Sequence, residues 1–584
     1  MPGLNIYTSN KLEILAAQLA QQLKTPVSEA LKPEIIVIQS AGMERWISQE
    51  LARHNGICAN IHFPFPNVFL DQLAQEIMRD TDAPSPVDPD VLMFEIMKRL
   101  PKCTSKSGFE QLKAYLSDDR TRLKALQIAS KLVDLYDQYQ VFRPEMVFRW
   151  EQGAKPDLPE EYWQAELWRQ LQKGRQNRHR ARQRQYLIEK MNSDPALFSD
   201  LPQRIFMFGI SYLPLFHLET FVALSQIVET NLFLLNPCRE YWGDIVSEKQ
   251  KQRIRRIYAH SADVVADLHL DEGNRLLASM GAHGKDFHTV ISNFDVQVHE
   301  NYQDPECVNL LSCVQSDILN LRERQPAPTE KGSSTGYLTA ATQAPLHTID
   351  KSDTSIQIQC CHSPMREIEV LHDHLLAMFA EDPRLLPKDI VVMTPDIETY
   401  SPYIQAVFGG QTDERLHIPF SIADRGARQQ GHLIDGFFSF LELKGSRFSV
   451  ARVMRLLETP GVREKFGLKR SDIEVAERWI RDTRIRWGID ADHRRNLSLP
   501  AVSDNTWYAG IRRLLLGCAM PGNQQQMFDG VLPYDSVEGN EIQSFGKFLD
   551  FSDAVFQFDR ELTEPKTLQA WSTLLKRMLK DFFL

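Results

Sequence analysis

The first fifty residues set the fold class. Leu4, Asn5, Ile6, Tyr7 and Thr8 form a short apolar run, Ser9 and Asn10 break it, and Leu12, Leu15, Ala16, Leu19 and Leu23 return at helical spacing. A strand, a tight turn and a helix are predicted. The device recurs at Glu34, Ile35, Ile36, Val37, Ile38 and Gln39, followed by Ser40, Ala41, Gly42 and an amphipathic run over residues 43–51. Two strands that each hand over to a helix open a parallel α/β sheet, so the predicted fold class is α/β.

A third apolar run, residues 58–65, ends in Pro64, Phe65 and Pro66 and turns helical. Residues 71–200 are helical in pattern, with Leu132, Leu135, Tyr136 and Tyr139 on one apolar stripe, and read as a helical insertion in the sheet domain. The sheet resumes over 204–211 and returns at 231–235 after a helix at about 215–229, another strand-helix-strand unit. Residues 325–355 have the Pro, Ser, Thr, Gly and Ala content of a linker, which puts a domain boundary near 345. The rhythm then restarts with an apolar run at 355–361, Ser363 as N-cap and Pro364 at the first helical position. Further strands are predicted at 389–393 and 418–422. From about 431 to 584 the pattern is helical. The expected domains are therefore 1–345, with sheet core 1–70 and 200–320, and 346–584, with sheet core 355–430 and helical insertion 431–584. The apolar end at Asp581, Phe582, Phe583 and Leu584 suggests a truncated chain or an end buried against a partner.

A chain of 584 residues exceeds one hydrophobic core, and ~150 residues per domain gives three to five folding units. A hydrophobic fraction of 43% with 25% charged residues excludes collagen-like, disordered and disulfide-scaffold classes. The net charge of -10 argues against a polycation, so only local charge can point to a nucleic-acid partner. Eight scattered cysteines with no C-x-x-C pair fit a reducing cytoplasm. Residues 1–24 lack signal-peptide order, and no apolar run approaches the ~18 residues that span a bilayer, so a soluble intracellular protein is expected.

Nucleotide chemistry has no visible seat. A phosphate loop needs glycines whose backbone N–H groups cradle phosphate, then Lys and Ser or Thr. Thr8, Ser9, Asn10, Lys11 and Leu12 are too few and hold no glycine. The strand at 206–210 ends in Gly209, Ile210 and Ser211 where carboxylates would hold Mg²⁺. Cys361, His362, His372 and His374 do not make a metal set, since residues two apart on a helix diverge by about 200°. No nucleophile elbow appears.

One charge concentration stands out: Arg169, Lys173, Arg175, Arg178, Arg180, Arg182, Arg184 and Lys190 against Glu189 alone. It reads either as a phosphate-binding footprint or as a solvated basic face. Lys249, Lys251, Arg253, Arg255 and Arg256 form a second, weaker stretch. Asp134, Leu135, Asp137, Gln138 and Arg143 lie on and just beyond a helix with one apolar stripe and one charged face, a pattern that core and solvent alone would explain.

Six blocks carry a family likeness: Tyr7 to Leu12, Gln39 to Met43, Ile61 to Pro66, Asp134 to Tyr139, Asn236 to Asp244 and Cys361 to Glu367, with Ile485 to Asp490 extending it. In these the chain resembles the RecC family, the gamma subunits of exodeoxyribonuclease V, whose members are roughly twice as long. The resemblance implies two superfamily 1 helicase-like, P-loop-NTPase-like parallel-sheet domains with large helical insertions and lost ATPase motifs. It implies a non-catalytic subunit with no cofactor of its own, ATP and Mg²⁺ being bound by partner subunits. The implied partners are RecB, RecD, single-stranded DNA and DNA ends in the bacterial cytoplasm, with no membrane. The family threads single-stranded DNA through a tunnel and scans it for the recombination hotspot Chi. Gln39, Asp134, Asp137, Gln138, Arg143 and Arg180 are similar to positions that line the tunnel. The candidate DNA-binding set is Gln39, Arg45, Asp134, Leu135, Asp137, Gln138, Arg143, Arg175, Arg178, Arg180 and Arg182. Arg45 and Asp71 replace a glutamine and a tryptophan of the family pattern, which leaves open the hotspot sequence read. The alternatives are an active ATP-dependent helicase or nuclease and a pure protein-interaction scaffold.

Overall fold

The sheet expected at the amino terminus forms from six strands: β1 (Gly3–Ser9), β2 (Glu34–Val37), β3 (Ile61–His62), β4 (Arg204–Phe208), β5 (Glu229–Leu235) and β6 (Gln297–Glu300). Their order is β3-β2-β4-β5-β1-β6 and every pairing is parallel. The structure is a computed structural model that describes residues 3–25, 32–78, 87–156, 158, 161–174, 179–198, 201–257, 273–294, 296–324, 343–344, 346, 348–411, 413–423, 431–520, 526–537, 539 and 541–583.

Side-chain alternation along the strands divides the core into two faces. Leu4, Ile6, Val37, Ile205, Met207, Leu232 and Leu234 point one way, and Ile36, Phe206, Phe208 and Phe233 the other. Helices α1 (Leu12–Leu23) and α2 (Ala41–Asn55) cover the second face through Leu15, Leu19, Ile47 and Leu51. Burial on both faces explains why β4 and β5 read as continuous apolar runs. The third strand is shorter than the run at 58–65 suggests, because only Ile61 and His62 find partners on β2.

Between β3 and β4 the described chain is helical: α3 (Pro66–Met78), α4 (Pro89–Cys103), α5 (Glu110–Leu116), α6 (Leu123–Phe142), α7 (Pro144–Glu151), α8 (Tyr162–Gln172) and α9 (Arg180–Ser193). The helices α4 to α8 enclose their own core, in which Leu132 and Tyr136 of α6 meet Trp150 and Trp168. Helices α3 and α9 instead pack on the sheet through Phe69, Leu73, Leu187 and Met191, beside α10 (Leu215–Ser225). This difference places the end of α6 near the sheet.

The turn after β1 is filled by the chain itself. Ser9 Oγ donates to the Asn301 carbonyl (2.7 Å), Asn10 Nδ2 donates to the Gln303 carbonyl (2.9 Å), and the Gln303 N–H donates to Asn10 Oδ1 (3.0 Å).

The chain divides into two compact units, Met1–Ile358 and Gln359–Leu584. Of the expected linker, residues 325–342, 345 and 347 lie outside the described residues. The second unit departs from expectation. Among its described residues no strand pairs into a ladder, and the segments 355–361, 389–393 and 418–422 carry no strand. Ile358, Val391 and Met393 are 91%, 78% and 88% exposed, so the first two apolar runs are not buried as sheet strands must be, whereas Ile418 of the third packs into the core of a helix pair. An apolar run states a demand for burial, whereas a strand also needs a neighbour for its N–H and C=O groups. The helices Pro364–Glu381 and Ile397–Phe408 pair through Ile368, Leu375, Val407 and Phe408. Ser363 caps the first of them, accepting from the Arg366 N–H, with Pro364 in the first turn.

Residues 432–582 are mainly helical around a core that includes Phe440, Trp479, Trp507, Phe548, Phe551 and Phe582. Gly517 marks its tightest approach, since a Cβ there would lie 1.6 Å from the Tyr534 carbonyl oxygen. Backbone cannot swing aside as a side chain does. Gly517→Ala is therefore expected to lower the unfolding free energy of this unit by about 1–3 kcal/mol, read by urea titration. Among the described residues no helix is long and apolar enough to cross a membrane.

Candidate nucleic-acid interface

The carboxyl ends of adjacent parallel strands are where open α/β sheets place ligands. Here the ends of β2 and β4 are joined by one side chain. Gln39, just past β2, donates from Nε2 to the Tyr212 carbonyl (2.7 Å) and accepts the Ser211 N–H at Oε1 (3.3 Å). Gly209, at φ +64, lets the chain leaving β4 turn toward it, with the Met43 side chain so close that a Cβ would meet its Cε at 2.7 Å.

Four elements surround a cavity of about 380 Å³ at this edge. Gln39 comes from the residues just past β2, Phe65 and Asn67 from the start of α3, Asp137, Gln138 and Phe142 from the last turns of α6, and Tyr212 and His217 from the approach to α10 and its first turn. Residues 137, 138, 141 and 142 meet the cavity because three- and four-residue spacing returns to one side of a helix. Tyr136 and Tyr139 on the other side enter the helical core. The rings of Phe65 and Phe142 are 43% and 55% exposed. Exposed aromatic rings beside Gln39, Asp137 and Gln138 supply stacking faces together with directional donors and acceptors.

Behind the cavity runs a chain of alternating charges. Arg180 donates to Asp137 Oδ1 through Nη1 (2.6 Å) and to Asp71 Oδ2 through Nη2 (3.2 Å). Asp71 Oδ1 in turn lies 3.8 Å from Nη2 of Arg184, which is 1% exposed. That same Nη2 donates to Asn67 Oδ1 (3.2 Å). His217 completes the network, with Nε2 at 2.6 Å from Asn67 Oδ1 and Nδ1 at 3.1 Å from Arg184 Nη1. Burial, with the cations of Arg184 and Arg180 adding to it, pushes His217 down to about 3. Arg184 Nη1 also lies 2.8 Å from Nε2, so the guanidinium faces both nitrogens of the neutral ring. Burial also lowers Arg184 to about 10, which leaves it charged at neutral pH. Two arginines and two aspartates cancel, so this wall carries no net charge.

The basic segment is accordingly not a free cationic row. Arg182 donates to Glu151 Oε2 (2.9 Å) and stacks over Phe148, Arg169 pairs with Glu166 (3.1 Å), and Lys190 lies over Tyr186. Arg175 and Arg178 lie outside the described residues. Of the remaining predicted positions, Leu135 packs on the helical core. Arg45, Asp134 and Arg143 are exposed and make no ion pair among the described residues, and none of them lines the cavity. Gln39, Asp137 and Gln138 are thus brought together, with Arg180 held behind Asp137. Sequence reasoning missed Asn67, Phe142, Tyr212, Arg184 and His217 as parts of the site. Phe65 sat within the Ile61 to Pro66 block, the one local signal available.

Comparison with known proteins covers both units. Residues 4–321 match the family model described as RecC, N-terminal domain, and residues 430–584 match the one described as RecBCD enzyme subunit RecC fourth domain. Curated relatives carrying the name RecBCD enzyme subunit RecC include those of Escherichia coli strain K12, 36% identical over 100% of this chain and 53% of the relative, and Haemophilus influenzae, 32% identical over 99% and 54%. The Mycolicibacterium smegmatis protein of that name is 28% identical over 97% of this chain and 50% of its own length. The chain spans about half the length of the curated relatives it matches.

Proposed function

The chain belongs to the RecC family, and on that premise we propose that it is the DNA-binding, non-catalytic part of a RecBCD-type exodeoxyribonuclease V, acting in double-strand-break repair. Its partners are the RecB and RecD subunits, its nucleic-acid ligand is single-stranded DNA, and its location is the bacterial cytoplasm. The helicase-like, P-loop-type fold that the family likeness implies is assigned to the first unit, which carries the parallel sheet, whereas no ladder forms among the described residues of the second. ATP and Mg²⁺ belong to the partner subunits. In support, the turn that would hold phosphate after β1 has no glycine and is occupied by residues 301–303.

The observation that carries the DNA reading is the cavity lined by Gln39, Asp137, Gln138, Phe65 and Phe142. A single strand offers base faces and pairing edges, which such a set can stack on and hydrogen-bond. Its carboxylate would repel phosphate, and its wall is electrically neutral. It therefore suits bases better than backbone, and hotspot readout, that of Chi, is the role assigned to it. Backbone attraction falls instead to exposed cations such as Arg143 and Arg45.

Phe142→Ala is expected to weaken binding of a single-stranded oligonucleotide by about 1–3 kcal/mol, roughly 5- to 150-fold, with an unchanged slope of log affinity against log salt. Arg143→Ala should lower that slope by about 0.7. Fluorescence anisotropy across a salt series on the full chain reads both. In a complex with full-length partners, Gln138→Ala should alter hotspot response while unwinding persists. Unchanged affinity for both variants would return the chain to the scaffold reading.

A further inference from the structure

Among the side-chain amides that line the cavity, Asn67 differs in how it is held. Gln39 uses both ends of its amide on the chain leaving β4, through the Tyr212 carbonyl and the Ser211 N–H. The Gln138 side chain is exposed and makes no hydrogen bond among the described residues, so its amide is held in neither sense. Asn67, in the first turn of α3, is held at one end only. Its Oδ1 accepts from Arg184 Nη2 (3.2 Å) and lies 2.6 Å from His217 Nε2, while its Nδ2 has no partner among the described residues. A guanidinium carries donors and no acceptor, so the amide atom that faces it is oxygen, and turning the amide over would set N–H against N–H. Arg184 and His217 are buried, whereas Asn67 is exposed and lines the cavity. A buried pair thus fixes the sense of an exposed amide, with its oxygen turned to the pair and its two N–H groups left for a ligand.

We propose, resting on the role of the cavity as a base site, that Asn67 is a specificity-determining residue whose Nδ2 donates to a carbonyl oxygen of a base in the single strand. An asparagine with both ends free pairs with adenine, Oδ1 accepting from N6 and Nδ2 donating to N7. Here Arg184 and His217 already occupy Oδ1, so the acceptor half of that pairing is spent and only the donor half remains. Bases that carry a carbonyl oxygen, such as thymine, offer this donor a direct partner. Adenine has no carbonyl, and its amino group would meet N–H with N–H. The rings of Phe65 and Phe142 can stack on the face of any base. Asn67 therefore adds a selection among bases that stacking alone lacks, because pairing edges differ where faces do not.

Fluorescence anisotropy of the full chain with oligothymidine, oligodeoxyadenosine and an abasic strand of the same length tests the role. Asn67→Asp keeps an oxygen toward Arg184 and His217 but replaces both N–H donors with a second oxygen. Its added charge acts on every strand alike through the phosphates, and the abasic strand measures that common loss. Beyond it, affinity for oligothymidine is expected to fall roughly 2- to 12-fold, while affinity for oligodeoxyadenosine does not fall further. Asn67→Ala removes the donors without adding charge; it should lower oligothymidine affinity by the same factor and leave the abasic strand unchanged. Urea titration verifies that both variants are folded. Equal losses on thymine and abasic strands would overturn the proposal, and so would equal losses on thymine and adenine strands. Phe142→Ala separates this failure from that of the base site. If it weakens the base-bearing strands while the Asn67 variants do not discriminate, the cavity binds bases and Asn67 does not select among them; if it also has no effect, the base site itself fails.

Discussion

Replacing Arg184 with methionine is expected to destabilise the sheet-bearing unit by about 3–5 kcal/mol. Methionine matches the length of the stem but supplies no donors. Asp71 would keep one ion pair, to Arg180, but lose the other, and Asn67 and His217 would lose their contacts with the guanidinium. The cost is large because Arg184 is almost wholly buried, so water cannot replace the lost partner. Arg182→Met is the control: that arginine is 25% exposed beside Glu151, and its loss should cost about 1 kcal/mol or less. Urea unfolding of the full chain, followed by fluorescence and limited proteolysis to assign the transition, measures both. A loss below 1 kcal/mol for Arg184→Met would mean that the network does not stabilise the cavity wall.

In the second unit, Asp559→Asn should stabilise the protein by about 3 kcal/mol above pH 6 and leave it unchanged near pH 4. Asp559 lies among Phe556, Phe558 and Leu562 on the helix Glu541–Thr563. Burial raises its carboxyl to about 6, against the pull of Lys444 and Arg560. The folded state thus holds a proton that the unfolded chain releases near its ordinary value of 3.8. Folding stability therefore falls as pH rises between about 4 and 6 and is level above that window. Asparagine mimics the protonated acid and should flatten the profile. Denaturant titrations from pH 4 to pH 8 provide the reading. An equal gain at both ends of the range would assign the effect to packing.

The parallel sheet was legible in the chain because its signals are local. β1, β4 and β5 are short apolar runs flanked by turn residues and helical periods, and burial on both faces imposes that pattern wherever the strand ends up. The same signal misled at 355–361, 389–393 and 418–422, where no ladder forms among the described residues: Ile358, Val391 and Met393 remain exposed, and Ile418 is buried against helices instead. Hydrophobic pattern reports what a segment would bury, while pairing depends on another segment arriving at hydrogen-bonding distance.

The site divides along the same line. The repeat of Asp134, Asp137 and Gln138 on one helix marked a polar face, yet which of them meet a cavity depended on where α6 ends against the sheet. The charges at Arg180, Arg182 and Arg184 could be counted in sequence, but their carboxylates could not be assigned. Asp71 and Asp137 precede Arg180 by 109 and 43 residues, and Glu151 precedes Arg182 by 31. The amino-acid order determined the elements, their periodicity and the empty turn after β1, because these follow from neighbours a few residues apart. Tertiary structure alone decided which arginines are neutralised, that His217 is uncharged, and that Phe65 and Phe142 flank one cavity. Desolvation and ion pairing depend on distance in space, and the fold sets that distance by bringing β2, α3, α6, α9 and α10 to one edge of the sheet.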